Sequence, residues 1–413
     1  MGSFPRRESK RVGLARGERG RDLSRGRGDY VAACPHYPHC VGCSFINLPY
    51  SEQLVRKLQS VTKAVAAYPS LSKLGVAEVI PARRRLGYRA RVKLVVRKTK
   101  GEIAVGLYVP GTHRVIDISC CPVHPKSIND VIRYLKSKCH DLGIEPYDER
   151  NDSGQLRYLD FRQSFAQREV IITLVTRHVA FPQGGALARS LMRRFGFVAG
   201  VVQNINEAKG NVIWGEQFRT LAGRDTLIER LGHLQLGFPA GVFSQANPFT
   251  ARQLYEWLVK AGALTGRETV IDLYCGVGPI SLFLASSARQ VWGIDDNALS
   301  VATAKQNARR NGVSNCRFIE GDVAAKVTEL KRVLKQVDLV VVNPPRKGLQ
   351  PEAIEAVLAV TAAKLIYVSC HPNSLARDLD RLVADGYHVR AVQPFDMFPQ
   401  TEEVETVVVL QKP

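Results

Sequence analysis

The sequence predicts an α/β protein with two folded parts: an α+β domain over residues 31–237 and a Rossmann-like domain over residues 238–413. Residues 76–236 alternate strand-like runs with turns and contain no repeat of fixed period, which indicates a mixed domain around an antiparallel sheet. From residue 238 strand-like runs alternate with helical ones, the pattern of a parallel sheet. A length of 413 residues with 45% hydrophobic content allows two such cores.

Charge and cysteine content limit the classes of function. The chain has 58 basic and 38 acidic residues, a formal charge of +20, which favours a polyanionic partner such as nucleic acid over a surface charged only for solubility. It contains no apolar run of membrane-spanning length and no signal peptide. We therefore expect a cytoplasmic monomer without a membrane partner. In a reduced compartment, nine cysteines indicate metal binding or catalysis rather than a disulfide scaffold.

Residues 1–30 predict a disordered basic arm. They hold nine Lys or Arg, four Asp or Glu, six glycines and few large apolar residues. Such an arm either holds a nucleic acid electrostatically or is an unconstrained terminus.

Cysteines at the start of the first domain predict a metal or cluster site. Cys34, Cys40 and Cys43 follow a C-x5-C-x2-C spacing, and Gly42 allows the sharp turn between the last two. A fourth ligand must come from elsewhere, and Cys121 is the candidate. Thiolates select zinc or an iron–sulfur cluster, and the spacing alone does not choose between them.

The middle of the chain predicts strands and one basic segment. The segment combines Arg83, Arg84, Arg85, Arg89 and Arg91 with Tyr88. Arginines beside an aromatic ring suit RNA phosphates and a stacked base, and a solvated charged strand is the alternative. The predicted strands are 92–97, 103–108, 170–175, 200–205 and 211–214.

The second domain predicts a site for an adenosine-type cofactor. Asn247 and Pro248 form a helix start, a cap followed by proline at the first helical position. A strand at 269–273 runs into a glycine-rich turn, and the next strand ends at Asp295, 19 residues past Gly276. That is the placement of a carboxylate that binds both ribose hydroxyls. Asp322, after a strand at 317–320, is predicted to contact the adenine.

The next strand ends favour a methyltransferase over a dehydrogenase. The chain lacks a full G-x-G-x-x-G, and one strand ends in Asn343-Pro-Pro-Arg346. Asn343 is predicted to reach the cofactor's methionine end or the target base, with two prolines fixing the loop below it. A merely structural Pro-Pro turn is the alternative. This predicts a Rossmann-like class I methyltransferase domain.

A buried strand at 365–368 ends at Cys370, and a helix capped by Asn373 or Ser374 is predicted to follow. Ligands gather at the carboxyl ends of strands in open α/β sheets. Cys370 is therefore either a catalytic residue or a small residue that packs a strand end.

Five motifs together carry a family resemblance. From about residue 34 to the end, the chain resembles the RNA 5-methyluridine methyltransferases of the RumA, RumB and TrmA types. The set Cys34, Cys40, Cys43 and Cys121 resembles the [4Fe–4S] site of the RumA and RumB branches. The motifs are Phe243-Ser-Gln245-Ala-Asn247, Asp272-Leu-Tyr-Cys-Gly-Val-Gly278, Asn343-Pro-Pro-Arg346, Ser369-Cys370-His-Pro372, and Phe395-Asp-Met-Phe-Pro399-Gln-Thr-Glu-Glu-Val-Glu405.

The resemblance implies methylation of uracil C5 in RNA, favouring 23S rRNA and leaving tRNA open. It implies Cys370 as the nucleophile that adds to C6 and Glu405 as the base that removes the C5 proton. It further implies S-adenosylmethionine held by Gln245, Tyr274, Asp295 and Asn343.

The chain departs from the family pattern at several points. Asn343 replaces an acid, Pro279 replaces a polar residue, and Gln400 and Glu403 stand where histidine is frequent. The RNA-binding TRAM barrel of many relatives is missing before Cys34. The rival classes are an amino-methyltransferase, an iron–sulfur redox protein and a catalytically altered RNA-binding relative.

Overall fold

The structure is a computed structural model that describes residues 29–210 and 212–412. The predicted basic arm lies outside the described residues except for Asp29 and Tyr30. The Asp29 carboxylate accepts hydrogen bonds from the backbone N and hydroxyl of Ser51 at 2.9 and 2.6 Å. Asp29 therefore caps the first turn of the helix that begins at Tyr50, because the N-cap residue of this helix, Pro49, makes no side-chain hydrogen bond.

The first sheet is built from seven strands in the order β3-β2-β1-β4-β5-β6-β7. Neighbours are antiparallel except for β5 and β6, which are parallel. The exception follows from the chain, because helix α3 connects these two strands as a crossover. The elements are α1 Tyr50–Ala66, β1 Arg91–Thr99, β2 Glu102–Tyr108, β3 Val115–Asp117, α2 Lys126–Asp141, β4 Leu156–Ser164, β5 Glu169–Thr176, α3 Gly184–Arg194, β6 Val198–Ile205 and β7 Gln217–Gly223.

The two faces of this first sheet differ. Helices α2 and α3 cover one face, where Leu94 of β1, Phe161 of β4 and Ile172 of β5 join a continuous core. Because side chains alternate along a strand, Lys93 and Tyr158 point to the opposite face, on which none of the described helices of this domain packs.

The second sheet has the order β12-β11-β10-β13-β14-β16-β15. Strands β10 to β14 are parallel, and β16 runs antiparallel to both β14 and β15. The elements are β8 Thr226–Leu231, β9 Leu234–Pro239, α4 Pro248–Gly262, β10 Thr269–Leu273, α5 Pro279–Ala285, β11 Gln290–Asp295, α6 Ala298–Arg310, β12 Cys316–Glu320, α7 Val323–Val333, β13 Leu339–Val342, α8 Pro351–Val360, β14 Lys364–Ser369, α9 Pro372–Ala384, β15 His388–Phe395 and β16 Glu405–Gln411.

Strand order places a ligand crevice between β10 and β13. The chain runs outward from β10 through β11 to β12 and then returns to β13 on the other side of β10. Connections on the two sides leave in opposite directions at this point, so a crevice opens at the carboxyl ends of the two strands. Tyr274 follows β10 and Asn343 follows β13, so both lie at its mouth.

Two segments outside residues 238–413 pack on the second sheet. Val61 and Val65 of α1 join the core under β13 and β14. Leu234 and Leu236 of the β8–β9 hairpin join the core on the other face, with Val270 of β10. The second sheet is thereby covered on both sides.

Two local predictions are wrong. No strand forms over residues 212–214, since the Asn206 amide donates to the carbonyls of Val212 and Ile213 and so takes the place of a ladder partner. The cap of α9 is His371 rather than Asn373 or Ser374. Pro372 fixes the first helical residue, and the His371 ring accepts from the Ser374 backbone. Among the described helices, none has the length and apolar character needed to cross a membrane.

Candidate active site

Six of the predicted site residues line one open cleft at the carboxyl edge of the second sheet. The cleft encloses about 2070 Å³ including the solvent open to it. A smaller neighbouring cavity of about 720 Å³ shares part of this wall but contains neither Cys370, Glu405 nor Asp295, so the predicted catalytic pair lies in the larger one. The predicted residues in the cleft are Gln245, Tyr274, Asp295, Asn343, Cys370 and Glu405.

Strand register brings Cys370 and Glu405 together. Ser369 of β14 pairs with Thr406 of β16 in an antiparallel ladder. Cys370 follows the last residue of β14 and Glu405 begins β16, so the register brings the two residues next to each other, and Glu405 contributes to the raised pKa of Cys370. A thiol and a carboxyl group 35 positions apart in the chain thus address the same point in the cleft.

The surroundings of these two groups shift their pKa values upward. Burial raises the pKa of Glu405 to about 8, with a smaller contribution from Glu403. Burial raises the pKa of Cys370 to about 11; Glu405 adds to the rise and Arg346 opposes it. The Glu405 carboxyl makes no hydrogen bond in the described part of the chain.

Glu403 is engaged elsewhere. Its two carboxylate oxygens accept from one Arg346 nitrogen at 2.8 and 2.9 Å, in a partly exposed ion pair at the rim of the cleft. The pair holds the Arg346 guanidinium close enough to Cys370 to favour its thiolate. Glu403 therefore orients a cation, whereas Glu405 is the buried carboxyl group that faces the thiol.

The other half of the cleft suits an adenosine-type ligand. Tyr274 adopts a left-handed backbone (φ 60°), a strained conformation for a non-glycine residue and one that clusters at ligand sites. The Asp295 carboxylate accepts from the backbone N of Gly276 and of Asn297 at 2.8 and 3.0 Å. These bonds fix Asp295 at the strand end, where the residue lines the cleft.

Of the other predicted cofactor residues, Gln245 and Asn343 line the cleft and Asp322 lies outside it. Asn343 lies at the crevice between β10 and β13, and Gln245 lies across it beside Tyr255. Asp322 does not line the cleft. Its carboxylate caps α7 by accepting from the Ala325 backbone N at 2.9 Å, and it lies near enough to contribute to the raised pKa of Tyr274.

The four predicted cysteines lie in one neighbourhood. Burial raises the pKa of Cys43 to about 12 and that of Cys121 to about 11. The nearby Cys34 thiol contributes to the rise in both pKa values, which shows that the three sulfur atoms are close. The Asn129 side chain fixes the Cys121 backbone through bonds of 3.1 and 2.9 Å. Within residues 29–210 and 212–412, no group of three or more His, Cys, Asp or Glu is spaced to hold a metal ion. The thiols are thus neighbours, and a bound ion or cluster would have to draw them closer.

The cysteine loop also forms part of the cleft wall. Val41, Gly42 and Ser44 line it. The Phe45 backbone N donates to the carbonyl of Gln400 at 2.9 Å, and the Glu402 backbone N donates to the Ser44 hydroxyl at 3.1 Å. The cysteine loop therefore rests directly on the segment that leads to Glu405.

Sequence reasoning missed a buried polar stripe on α1, formed by Tyr50, Gln53 and Lys57. Lys57 pairs with Asp396 at 2.5 Å, with both side chains fully buried. The Gln53 amide exchanges bonds of 3.0 and 2.9 Å with the side chain and backbone of Gln400. The available signal was that Gln53 and Lys57 fall on the same helical face as the core residue Val61.

The predicted base platform at Tyr88 is wrong. Its ring is completely buried, and its hydroxyl donates to the carbonyl of Pro399 at 3.0 Å. Arg89, by contrast, does line the cleft. The aromatic residue of this basic segment is part of the core, and Arg89 is the arginine of the segment that lines the cleft.

Comparison with known proteins places this architecture in one family. Residues 50–413 match the family model described as tRNA (Uracil-5-)-methyltransferase. An uncharacterised RNA methyltransferase of Geobacter sulfurreducens is 39% identical over 380 residues, 92% of this chain and 77% of the relative. A second, of Gloeobacter violaceus, is 36% identical over 382 residues, covering 92% and 82% of the two chains.

A solved structure supports the same placement. The crystal structure of Pyrococcus abyssi tRNA (uracil-54, C5)-methyltransferase in complex with S-adenosyl-L-homocysteine is similar with a TM-score of 0.73 and 27% sequence identity. The similarity covers 90% of this chain and 86% of that one, so both sheets are included.

Proposed function

The chain belongs to the tRNA (uracil-5-)-methyltransferase family and is an RNA methyltransferase, and from this premise we propose that it methylates C5 of a uridine through Cys370 and Glu405. The observation that carries the proposal is the β14–β16 register, which opposes a thiol and an otherwise unbonded buried carboxyl group in one cleft. Uracil C5 methylation needs one nucleophile and one base at the same ring.

The reaction uses these groups in order. The Cys370 thiolate, favoured by Arg346, adds to C6 of the uracil and makes C5 nucleophilic. S-adenosylmethionine supplies the methyl group, which C5 accepts. The Glu405 carboxylate then removes the C5 proton, the C5–C6 double bond re-forms, and the bond between C6 and sulfur breaks. The target base must leave its stack to reach both side chains.

Asp295, Tyr274, Gln245 and Asn343 are the residues we assign to cofactor binding. Asp295 would accept from the ribose hydroxyls with the two lone pairs that its backbone bonds leave free. Asn343 and Gln245 flank the crevice at which the methyl donor and the base must meet. We assign Asp322 to the adenine side, through its position near Tyr274.

We propose ribosomal RNA as the substrate, because the cysteine set resembles that of the branch acting on 23S rRNA. The similar Pyrococcus abyssi protein makes tRNA the second candidate. The test uses full-length protein, methyl-labelled S-adenosylmethionine, and rRNA and tRNA purified separately from cells that lack this gene. We expect label in 5-methyluridine from rRNA. Label found only in tRNA would show that tRNA, and not rRNA, is the substrate. Label in a nucleoside other than 5-methyluridine would refute the proposed methylation of uridine C5.

We also propose that Cys34, Cys40, Cys43 and Cys121 hold a [4Fe–4S] cluster. The supporting argument is electrostatic: buried thiols that raise one another's pKa are poor thiolates until a cation lies among them. Protein purified without oxygen should be brown and contain about four irons per chain. Cys40→Ser should lose the iron and the colour, whereas Cys139→Ser, at a buried cysteine elsewhere in the first domain, should keep both. One zinc in a colourless preparation would contradict the cluster.

A further inference from the structure

The face of the first sheet opposite to helices α2 and α3 is covered in part by the β8–β9 hairpin, and beside that covered part it carries an aromatic surface that the proposed reaction does not use. We name Tyr108, Tyr158, Trp214 and Phe218 the aromatic track. Tyr108 and Tyr158 stand on the face opposite to helices α2 and α3, and Trp214 packs with them over the small cluster around Val95. Phe218 of the edge strand β7 retains 37% of its exposure, and the neighbouring Val212 retains 61%. Tyr158 is only 6% exposed and forms the floor of the track, whereas the rings of Tyr108, Trp214 and Phe218 reach the surface. Partly exposed rings grouped in this way indicate a binding surface.

The aromatic track is continuous with the catalytic cleft. The Trp214 and Phe218 rings are 5.8 Å apart and tilted by 36°. The Phe218 ring lies against Gly241 so closely that a Cβ there would come within 2.7 Å of it, and the φ of +93° also requires glycine. Gly241 and Phe243 line the cleft, and Phe243 is 61% exposed. A chain lying on the track would therefore lead into the cleft that Cys370 also lines.

Cations accompany the aromatic rings. The Lys93 ammonium lies 5.4 Å and the Arg91 guanidinium 5.9 Å from the centre of the Trp214 ring. Arg97 lies 5.6 Å from the centre of the Tyr108 ring. Arg91 and Arg97 have acidic partners, whereas Lys93 makes no ion pair with any described residue. A groove of about 1060 Å³, open to solvent, lies between Lys93 and Tyr108.

The Lys93 side chain is exposed and forms no ion pair with a described residue, although Asp160 lies near enough to act on it. Partial desolvation and the adjacent Arg91 lower the pKa of Lys93 to about 8, and Asp160 opposes this shift. An anion placed in the groove would relieve both effects. Stacked rings with interspersed cations are the arrangement that binds successive bases and phosphates of a single strand.

We propose that the aromatic track binds single-stranded RNA that flanks the target uridine. The proposal rests on the proposed function, because the strand on the track continues into the cleft where Cys370 acts. Charge favours this occupant over a protein, since the track carries Lys93 unpaired on a chain with a formal charge of +20. A substrate would thus need a run of unpaired nucleotides beside its uridine.

The test measures RNA length dependence by fluorescence anisotropy. Full-length protein is titrated into labelled oligouridylates of 5 and 20 nucleotides, probes that present uridine in every frame. Wild-type protein should bind the longer one more tightly. Trp214→Ala should weaken binding of the 20-mer about 5- to 150-fold, the equivalent of about 1–3 kcal/mol for one stacked base, and reduce the length preference. Trp214→Phe should retain the preference.

The matched control is Phe195→Ala. Phe195 carries Arg194 at 5.3 Å on the helix-covered side of the same sheet, so its loss should leave the length preference intact. Equal binding of S-adenosylhomocysteine by all variants shows that the second domain is folded. Lys93→Gln, a change at the surface, should lower the slope of log affinity against log salt by about 0.7.

The outcomes separate this proposal from the function. A reduced preference in a protein that methylates no uridine would support the track and refute the function. An unchanged preference in Trp214→Ala that still methylates RNA would refute the track alone. If Trp214→Ala instead changes the sedimentation of the RNA-free protein, the face covers a second copy of the chain and the proposal is wrong.

Discussion

Glu405→Gln is expected to trap the protein on its RNA, whereas Cys370→Ala is expected to form no adduct. Glutamine keeps the size of Glu405 but cannot take the C5 proton, so the variant should attack C6, accept the methyl group and stop before the carbon–sulfur bond breaks. Loss of a general base costs about 10²- to 10⁴-fold in rate. The sign is a protein–RNA band that survives denaturing electrophoresis and requires S-adenosylmethionine. Cys370→Ala should give neither band nor product.

The control variant is Glu403→Gln. Glu403 pairs with Arg346 at the rim of the cleft, so its loss should alter RNA attack without trapping the adduct. The double variant with Cys370→Ala and Glu405→Gln should abolish the band. Normal turnover of Glu405→Gln would show that another group, with Glu403 first in line, removes the proton.

A pH series gives a second readout of the same assignment. The Glu405 pKa is raised to about 8, so the carboxyl is protonated and inactive as a base below that value. The rate of proton removal should rise about tenfold per pH unit up to about 8 and then level off. Because the pKa of Cys370 is raised to about 11, adduct formation also slows at low pH, so the measurement follows adduct breakdown. Wild-type adduct formed at pH 8 and shifted to pH 6 should break down more slowly than adduct kept at pH 8. Adduct in Glu405→Gln should not follow this pH dependence.

The second sheet was largely predictable because its pattern is local. Strands at 269–273, 291–295 and 365–368 are short apolar runs between helical segments, and each is found as β10, β11 or β14. The Asn247 cap was also predictable, since cap and proline are adjacent in the chain. The pairing of Cys370 with Glu405 was accessible only through the family resemblance, because antiparallel β16 inserts between β14 and β15 and spacing does not encode that register.

What the sequence could not predict depends on contacts between distant residues. Tyr88 resembled a platform for RNA because it stands among arginines. In the fold its ring is completely buried, and its hydroxyl donates to the carbonyl of Pro399, more than 300 positions away in the chain. The strand expected at 211–214 fits a strand pattern, but the amides of Asn204 and Asn206 take the backbone partners of the loop that follows β6. Hydrogen bonds from side-chain amides replace the strand-to-strand hydrogen bonds here, and such bonds leave no periodic pattern in the sequence.

The buried pair of Lys57 and Asp396 is the contact of this distant kind with the largest expected effect on stability. Both side chains have no exposed area, and their charged atoms are 2.5 Å apart. Lys57 also donates to the Phe398 carbonyl at 2.9 Å, and Asp396 accepts from the Tyr50 hydroxyl at 2.5 Å. The pair joins α1 to the segment that carries Gln400 and leads to Glu405, so stability and catalysis share it.

Lys57→Met should lower the free energy of unfolding by about 3–5 kcal/mol, because it leaves the Asp396 carboxylate buried without its cation. Lys57→Met combined with Asp396→Asn should recover part of the loss, since no uncompensated charge remains and Tyr50 keeps an acceptor. Glu355→Gln, at the exposed pair with Arg381, should cost no more than about 1 kcal/mol. Urea unfolding of the wild-type protein and the three variants measures these differences.

The same substitution should also affect catalysis, because it releases the segment that leads to Glu405. At a temperature where Lys57→Met stays folded, this variant should accumulate the same trapped RNA adduct as Glu405→Gln, to a smaller extent. A Lys57→Met protein as stable as wild type, or a double variant less stable than Lys57→Met alone, would show that the pair does not anchor this segment.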